Sequence, residues 1–103
     1  MQATPLHFAV INRQLKNVEL LIHLGCDVNA VDKEQRTPLH IAVIRLCTTI
    51  QSEEQLDDEL LFFEYKMIIK ELLFHGASRL IKTKEDKTAL DIFTEHRASF
   101  SSE

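Results

Sequence analysis

Five histidines, at positions 7, 23, 40, 75 and 96, and two cysteines, Cys26 and Cys47, are the side chains best suited to acid–base or metal chemistry in this chain. A zinc site written into a sequence needs ligands in close pairs, such as C-x-x-C or H-E-x-x-H. Neither spacing occurs, and the histidines are scattered. The acidic cluster Glu53, Glu54, Asp57, Asp58 and Glu59 has the charge for calcium. It lacks the alternating ligand order and the turn glycine of a calcium loop. Gly25 and Gly76 are the only glycines, so a glycine-rich phosphate loop is excluded. Serine and aspartate are present without the local signature of an activated nucleophile. The sequence therefore predicts no enzyme, no cofactor and no metal.

Composition narrows the remaining classes. With 45% hydrophobic residues and only two glycines and two prolines, the 103 residues describe a folded, helix-rich chain of one domain. Its net charge of −4, from 12 basic and 16 acidic residues, argues against direct nucleic-acid binding, which requires a basic face. The apolar runs are too short to cross a bilayer, and the residues after Met1 do not resemble a signal peptide. Cys26 and Cys47 sit in unlike contexts, with Cys26 in a small-residue packing position. Such cysteine usage suits a reducing, intracellular setting, cytoplasmic with the nucleus left open.

Two of the histidines belong to a repeated motif. Thr4-Pro5-Leu6-His7 recurs 33 residues later as Thr37-Pro38-Leu39-His40, and a weaker copy, Thr88-Ala89-Leu90-Asp91, follows after a further 51 residues. Threonine can cap a helix, and proline suits a first helical turn because its missing N–H has no partner there anyway. The motif leucine is expected to face inward in each copy. In repeats that resemble this one such a histidine hydrogen-bonds between neighbouring loops, so His7 and His40 are read as structural groups. Asp91 must alter that pattern.

The elements follow from the same spacing. A first helix is expected over about 5–12, and Arg13 and Gln14 form a short turn. Val18, Leu21 and Ile22 then give a second helix its apolar stripe. Gly25 and Gly76 each end such a second helix. The third motif copy comes 18 residues later than one period, so an insertion lies within 46–65. Its acidic cluster suits a helix N-terminus, and Leu61, Tyr65, Ile68 and Leu72 continue at helical spacing. A helix from about 57 to 74, in an extended helical hairpin, accounts for the insertion better than a long structureless loop. Phe62 and Phe63 are its candidate second docking surface, or else packing.

A 33-residue period carrying T-P-L-H, with a helix-ending glycine between copies, resembles the ankyrin repeat. The resemblance implies an all-α solenoid of helix-turn-helix units joined by β-turn fingers. It covers about two and a half repeats: 1–31, 32–82 with the insertion, and a partial third over 83–103. Repeats of this kind place glycine where Gln35 and Asp86 stand, and the finger carrying Gln35 is expected to adjust more. The function implied is non-catalytic protein recognition by finger tips and inner helix faces. The partner-binding candidates are Lys33, Glu34 and Arg36 in one finger and Lys84, Glu85 and Lys87 in the next. Those on the inner helices are Ile44, Arg45, Glu95 and His96, with Ile11 and Asn12 earlier. Their mixed-charge ridge is more basic than the chain as a whole, so an acidic or carboxylate-bearing protein segment is the expected partner. Reversing Arg36, Arg45 or Lys87 to Glu is expected to alter stability by only about 0.5 kcal/mol or less at each position.

A finer likeness exists to late ankyrin repeats of the Fem family, in N-A-V-D, T-P-L-H-I, the enlarged hairpin, H-G-A and K-T-A-L-D. It implies part of a cullin-type ubiquitin-ligase substrate receptor. A structural spacer with no ligand of its own is the other alternative. The chain is expected to be a monomeric segment of a longer ankyrin protein.

Overall fold

A computed structural model describes residues 3–51 and 58–101, with side chains over 3–48 and 63–95. Five helices occur in this part: α1 (Pro5–Ile11), α2 (Leu15–His23), α3 (Pro38–Gln51), α4 (Asp58–Phe74) and α5 (Ala89–Ser101). There is no strand among the described residues. Glu53, Glu54 and Asp57 of the acidic cluster lie outside them, as do the side chains of Asp58, Glu59, Leu61, Phe62 and His96.

Each helix that follows a motif threonine starts for the same local reason. Thr4 is extended at φ −92° and ψ 169°, and its hydroxyl accepts the His7 N–H at 3.4 Å. His7 Nδ1 in turn accepts the Thr4 N–H at 3.0 Å. This is a capping box in which histidine replaces the usual glutamate. Thr37 and His40 repeat it at 3.3 and 3.0 Å, and Thr88 and Asp91 repeat it with a carboxylate at 3.1 Å in both directions.

The second helices end alike. Gly25 and Gly76 take φ 93° and 95°. The following N–H groups of Cys26 and Ala77 reach back to the carbonyls of Leu21 and Leu72. These bonds satisfy carbonyls that a helix end leaves bare, and they need a residue with positive φ.

Packing turns the helix pairs into a stack. α2 lies on α1 and α4 on α3, while α1, α3 and α5 pack in sequence. Leu6, Val10, Val18, Leu39, Ala42, Ile68 and Leu72 are all 2% exposed or less. Burying each leucine or isoleucine contributes about 1.5–3 kcal/mol, which short helices cannot supply in isolation. Cys47 is buried, and Cys26 is only half-buried. Leu90 departs from the inward placement expected of the motif leucine: it is 66% exposed. Nothing among the described residues stacks beyond α5 as α3 stacks on α1.

The insertion lengthens both helices of the second unit, to 14 and 17 residues against 7 and 9 in the first. Its inner side leans on the first unit. Tyr65 is 3% exposed and its hydroxyl donates to the Ile11 carbonyl at 3.2 Å, while Arg13 pairs with Glu64 at 3.0 Å. Phe63 stays outside, 58% exposed.

Candidate functional site

Two fingers lie between the helix pairs, and their shape comes from their own side chains. In the first, Gln35 N–H donates to the Asp32 carbonyl, and Asp32 Oδ1 accepts the N–H groups of Glu34 and Arg36, each at 2.9 Å. The Arg36 guanidinium closes the turn by pairing with Asp32 Oδ2 at 3.0 Å. Burial would raise the Asp32 carboxyl, yet these N–H groups and the guanidinium outweigh it and hold the acid below its ordinary 3.8. In the second finger Thr83 takes the place of Asp32, and its hydroxyl accepts the Glu85 N–H at 3.2 Å. Gln35 and Asp86 stand at φ 62° and 67°. The expected adjustment of the first finger does not occur. The Asp32 network holds Gln35 in the left-handed region although its side chain disfavours it.

The fingers are joined to each other and to the helices. Lys84 N–H donates to the Glu34 carbonyl at 2.9 Å, binding one tip to the next. His7 Nδ1 accepts from Thr4, so its proton sits on Nε2, which donates to the Arg36 carbonyl at 2.8 Å. The expected role of this histidine between loops is thus seen directly. His40 is the counterpart one unit on, but its buried Nε2 makes no hydrogen bond of good geometry. Burial lowers the His40 imidazole below its ordinary 6.5, and the backbone of Ile81 and Lys87 and the Asp32 carboxylate only partly oppose this.

Between the finger tips and the inner helices lies a concavity of about 410 Å³. Glu34 and Arg36 line it from one finger, Lys84, Glu85 and Lys87 from the other, and Ile44 and Glu95 from α3 and α5. Thr83 and Ile92 complete it. Lys33 and Arg45 are exposed but do not line it, and the His96 side chain is not described. The ridge is less basic than its sequence suggests, because Lys87 pairs with Glu95 at 2.9 Å and Arg36 is held by Asp32. Each pair offsets its cation's charge while leaving N–H donors over, as Arg36 uses two of its five and Lys87 one of its three. Arg36 therefore does not belong with positions whose replacement leaves stability unchanged.

Helices begun by threonine boxes, ended by left-handed glycines and joined by stacked fingers form one recurring unit, and a family model described as ankyrin repeats in three copies matches residues 1–51. The chain belongs to the ankyrin-repeat family. Ankyrin-type relatives agree with this over different lengths. NF-kappa-B inhibitor alpha from Sus scrofa and from Homo sapiens is 45% identical over 47 residues, 46% of this chain. B-cell lymphoma 3 protein from Homo sapiens is 30% identical over 99 residues, 92% of the chain. The chain spans about 15% of the length of the inhibitors and 18% of the lymphoma protein. None of these relatives adds support to the Fem-type likeness.

Sequence reasoning missed the ties between units. Asn29 Nδ2 donates to the Gly76 carbonyl at 3.3 Å, and its Oδ1 accepts the Ser78 N–H at 2.7 Å. The ankyrin period held a signal for this, since Leu80 stands at the same offset after Gly76 and cannot make such a bond. Both thiols are raised above their ordinary 9.0 by burial, Cys26 also by Asp27, which suits packing rather than nucleophilic chemistry. Among the described residues no group of three or more His, Cys, Asp or Glu could hold a metal, and no helix is long and apolar enough to cross a membrane.

Proposed function

We propose that this ankyrin segment is a non-catalytic protein-interaction module that holds its partner between the two finger tips and the inner faces of α3 and α5. The observation that carries the reading is the shared concavity, which draws side chains from both fingers and both helices. A site built from consecutive units gains specificity from their fixed spacing. The partner segment bears carboxylates directed at Lys84 and Lys33, the exposed lysines of the two tips, since Arg36 and Lys87 already hold acids of this chain. Complementary charge of this kind contributes chiefly to on-rate and specificity. The free cysteines suit action inside the cell. NF-kappa-B, after which the inhibitor relatives are named, is the first partner to try.

Binding of NF-kappa-B and of candidate partners recovered by affinity capture should be measured with Lys33→Glu/Lys84→Glu. Lys16→Glu on α2 serves as the control. The double variant is expected to weaken binding about tenfold while melting like the parent, and the control to bind normally. Full affinity in the double variant would remove the finger site. Absence of any protein partner would favour a structural spacer.

A further inference from the structure

The two fingers run in register over six residues, Asp32-Lys33-Glu34-Gln35-Arg36-Thr37 in one and Thr83-Lys84-Glu85-Asp86-Lys87-Thr88 in the other. Their backbones turn alike. Asp32 N–H donates to the Arg36 carbonyl at 3.1 Å, and Thr83 N–H donates to the Lys87 carbonyl at 2.9 Å. Gln35 N–H reaches the Asp32 carbonyl at 2.9 Å, and Asp86 N–H reaches the Thr83 carbonyl at 2.8 Å. What differs is the side chain at the base of the turn. Asp32 accepts two backbone N–H groups and a guanidinium, whereas the Thr83 hydroxyl accepts the N–H of Glu85. The second finger has the same frame with a weaker acceptor in it.

The surroundings of Thr83 suit a negative group. Lys82, Lys84 and Lys87 all lie within four residues of it. Lys84 is exposed, and Lys87 uses one of its three donors on Glu95. Lys82 reaches Asp86 only at 3.6 Å, with both side chains more than half exposed. Thr83 itself is half-buried and lines the concavity. Glu85 and Asp86 follow it at two and three residues, and both are exposed. Carboxylates just after a target hydroxyl are the charge pattern that an acid-directed protein kinase selects.

We propose that Thr83 is a phosphorylation site, at which phosphate supplies the anion that Asp32 supplies in the first finger. Thr83 Oγ1 attacks the γ-phosphorus of ATP held by the kinase. The bond from that phosphorus to the β-phosphate oxygen breaks, ADP leaves, and the hydroxyl proton passes to the kinase's catalytic aspartate. The phosphate carries a charge of about −1.5 to −2 at neutral pH and three acceptor oxygens. It accepts the N–H groups of Glu85 and Lys87 and draws the Lys87 ammonium to itself, as Asp32 holds Arg36. The second finger becomes as firmly closed as the first. The added charge falls in the concavity beside Lys84 and acts against a carboxylate-bearing occupant; that consequence alone rests on the proposed partner site.

The test treats the 103-residue protein with ATP, magnesium and casein kinase II. Ser52→Ala serves as the background, because Ser52 also precedes acidic residues. Peptide mass spectrometry should find phosphate on Thr83 of the folded protein, and Thr83→Val should leave that peptide unmodified. Exchange of the Glu85 and Lys87 amides should then slow about tenfold, as one added charge-assisted bond would give. Thr83→Asp, which restores the residue of the first finger, should slow the same amides without the kinase. The phosphate should titrate below its ordinary value of about 6, because Lys87 and the N–H groups favour the dianion. Lys87→Gln should still take up phosphate and return that titration towards the ordinary value. The proposal is overturned if the folded protein takes up no phosphate at Thr83, or takes it up only once unfolded in urea. Unchanged exchange after phosphorylation would also overturn it, as would a phosphate that titrates alike with and without Lys87.

Discussion

His7 and His40 show how far a residue type can be taken. Both close a capping box that a threonine begins, both are buried, and only His7 completes a bond from Nε2 to the next finger. Because burial lowers the His40 imidazole, the unfolded chain takes up its proton before the folded chain does. The stabilising contribution is complete above 6.5 and is lost as pH falls from there through the folded value. His40→Gln should lower stability by about 1–3 kcal/mol near neutral pH, by disturbing a buried polar site. It should also flatten the fall in melting temperature between pH 7 and 5, and an unchanged slope would assign that fall to other groups. Asp32 acts in the same direction in a lower window. Its depressed acid supplies stability above 3.8 that disappears as pH falls through the folded value.

At the scale of the element, five positions among the described residues take positive φ, Arg13, Gln35, Asp86, Gly25 and Gly76, and only the last two hold glycine. Gly25 and Gly76 have open space where a Cβ would stand, so only their positive φ resists substitution. Gly76→Ala should cost about 1 kcal/mol and lower the melting temperature by several degrees, as calorimetry would record. Gln35→Gly should act the other way and raise stability by somewhat under 1 kcal/mol, because removal of left-handed strain exceeds the entropy that glycine adds to the unfolded chain. A fall in stability would mean that the Gln35 side chain contributes a contact worth more than that strain.

The whole molecule is a stack held by few connections between units, so its cooperativity depends on them. Asn29 ties the loop before the first finger to Gly76 and Ser78, and Lys84 ties the second finger to Glu34. Asn29→Ala should remove about 1 kcal/mol per lost bond. It should also reduce the urea m-value, because weaker coupling lets one unit open before the other. A sharp transition shifted only in midpoint would instead assign cooperativity to the core contacts of α1 with α3.

The repeat period, the Thr4, Thr37 and Thr88 caps, the Gly25 and Gly76 stops and the long helix ending at Phe74 were legible because each depends on neighbours within a few residues. The convergence of Glu34, Arg36, Lys84 and Lys87 on one hollow was also legible, through the ankyrin resemblance rather than through the residues alone. The three-dimensional course of the chain decided which cations were already engaged, since Arg36 meets Asp32 through the fold of its finger and Lys87 meets Glu95 eight residues on along α5. It decided that the identical motif leucines would be buried twice and exposed once. It also joined Asn29 to Ser78 and Tyr65 to Ile11, pairs separated by 49 and 54 residues. Caps and turns are set by local backbone geometry. Burial and the long-range ties are set by what stacks against what, and no spacing along the chain encodes that directly.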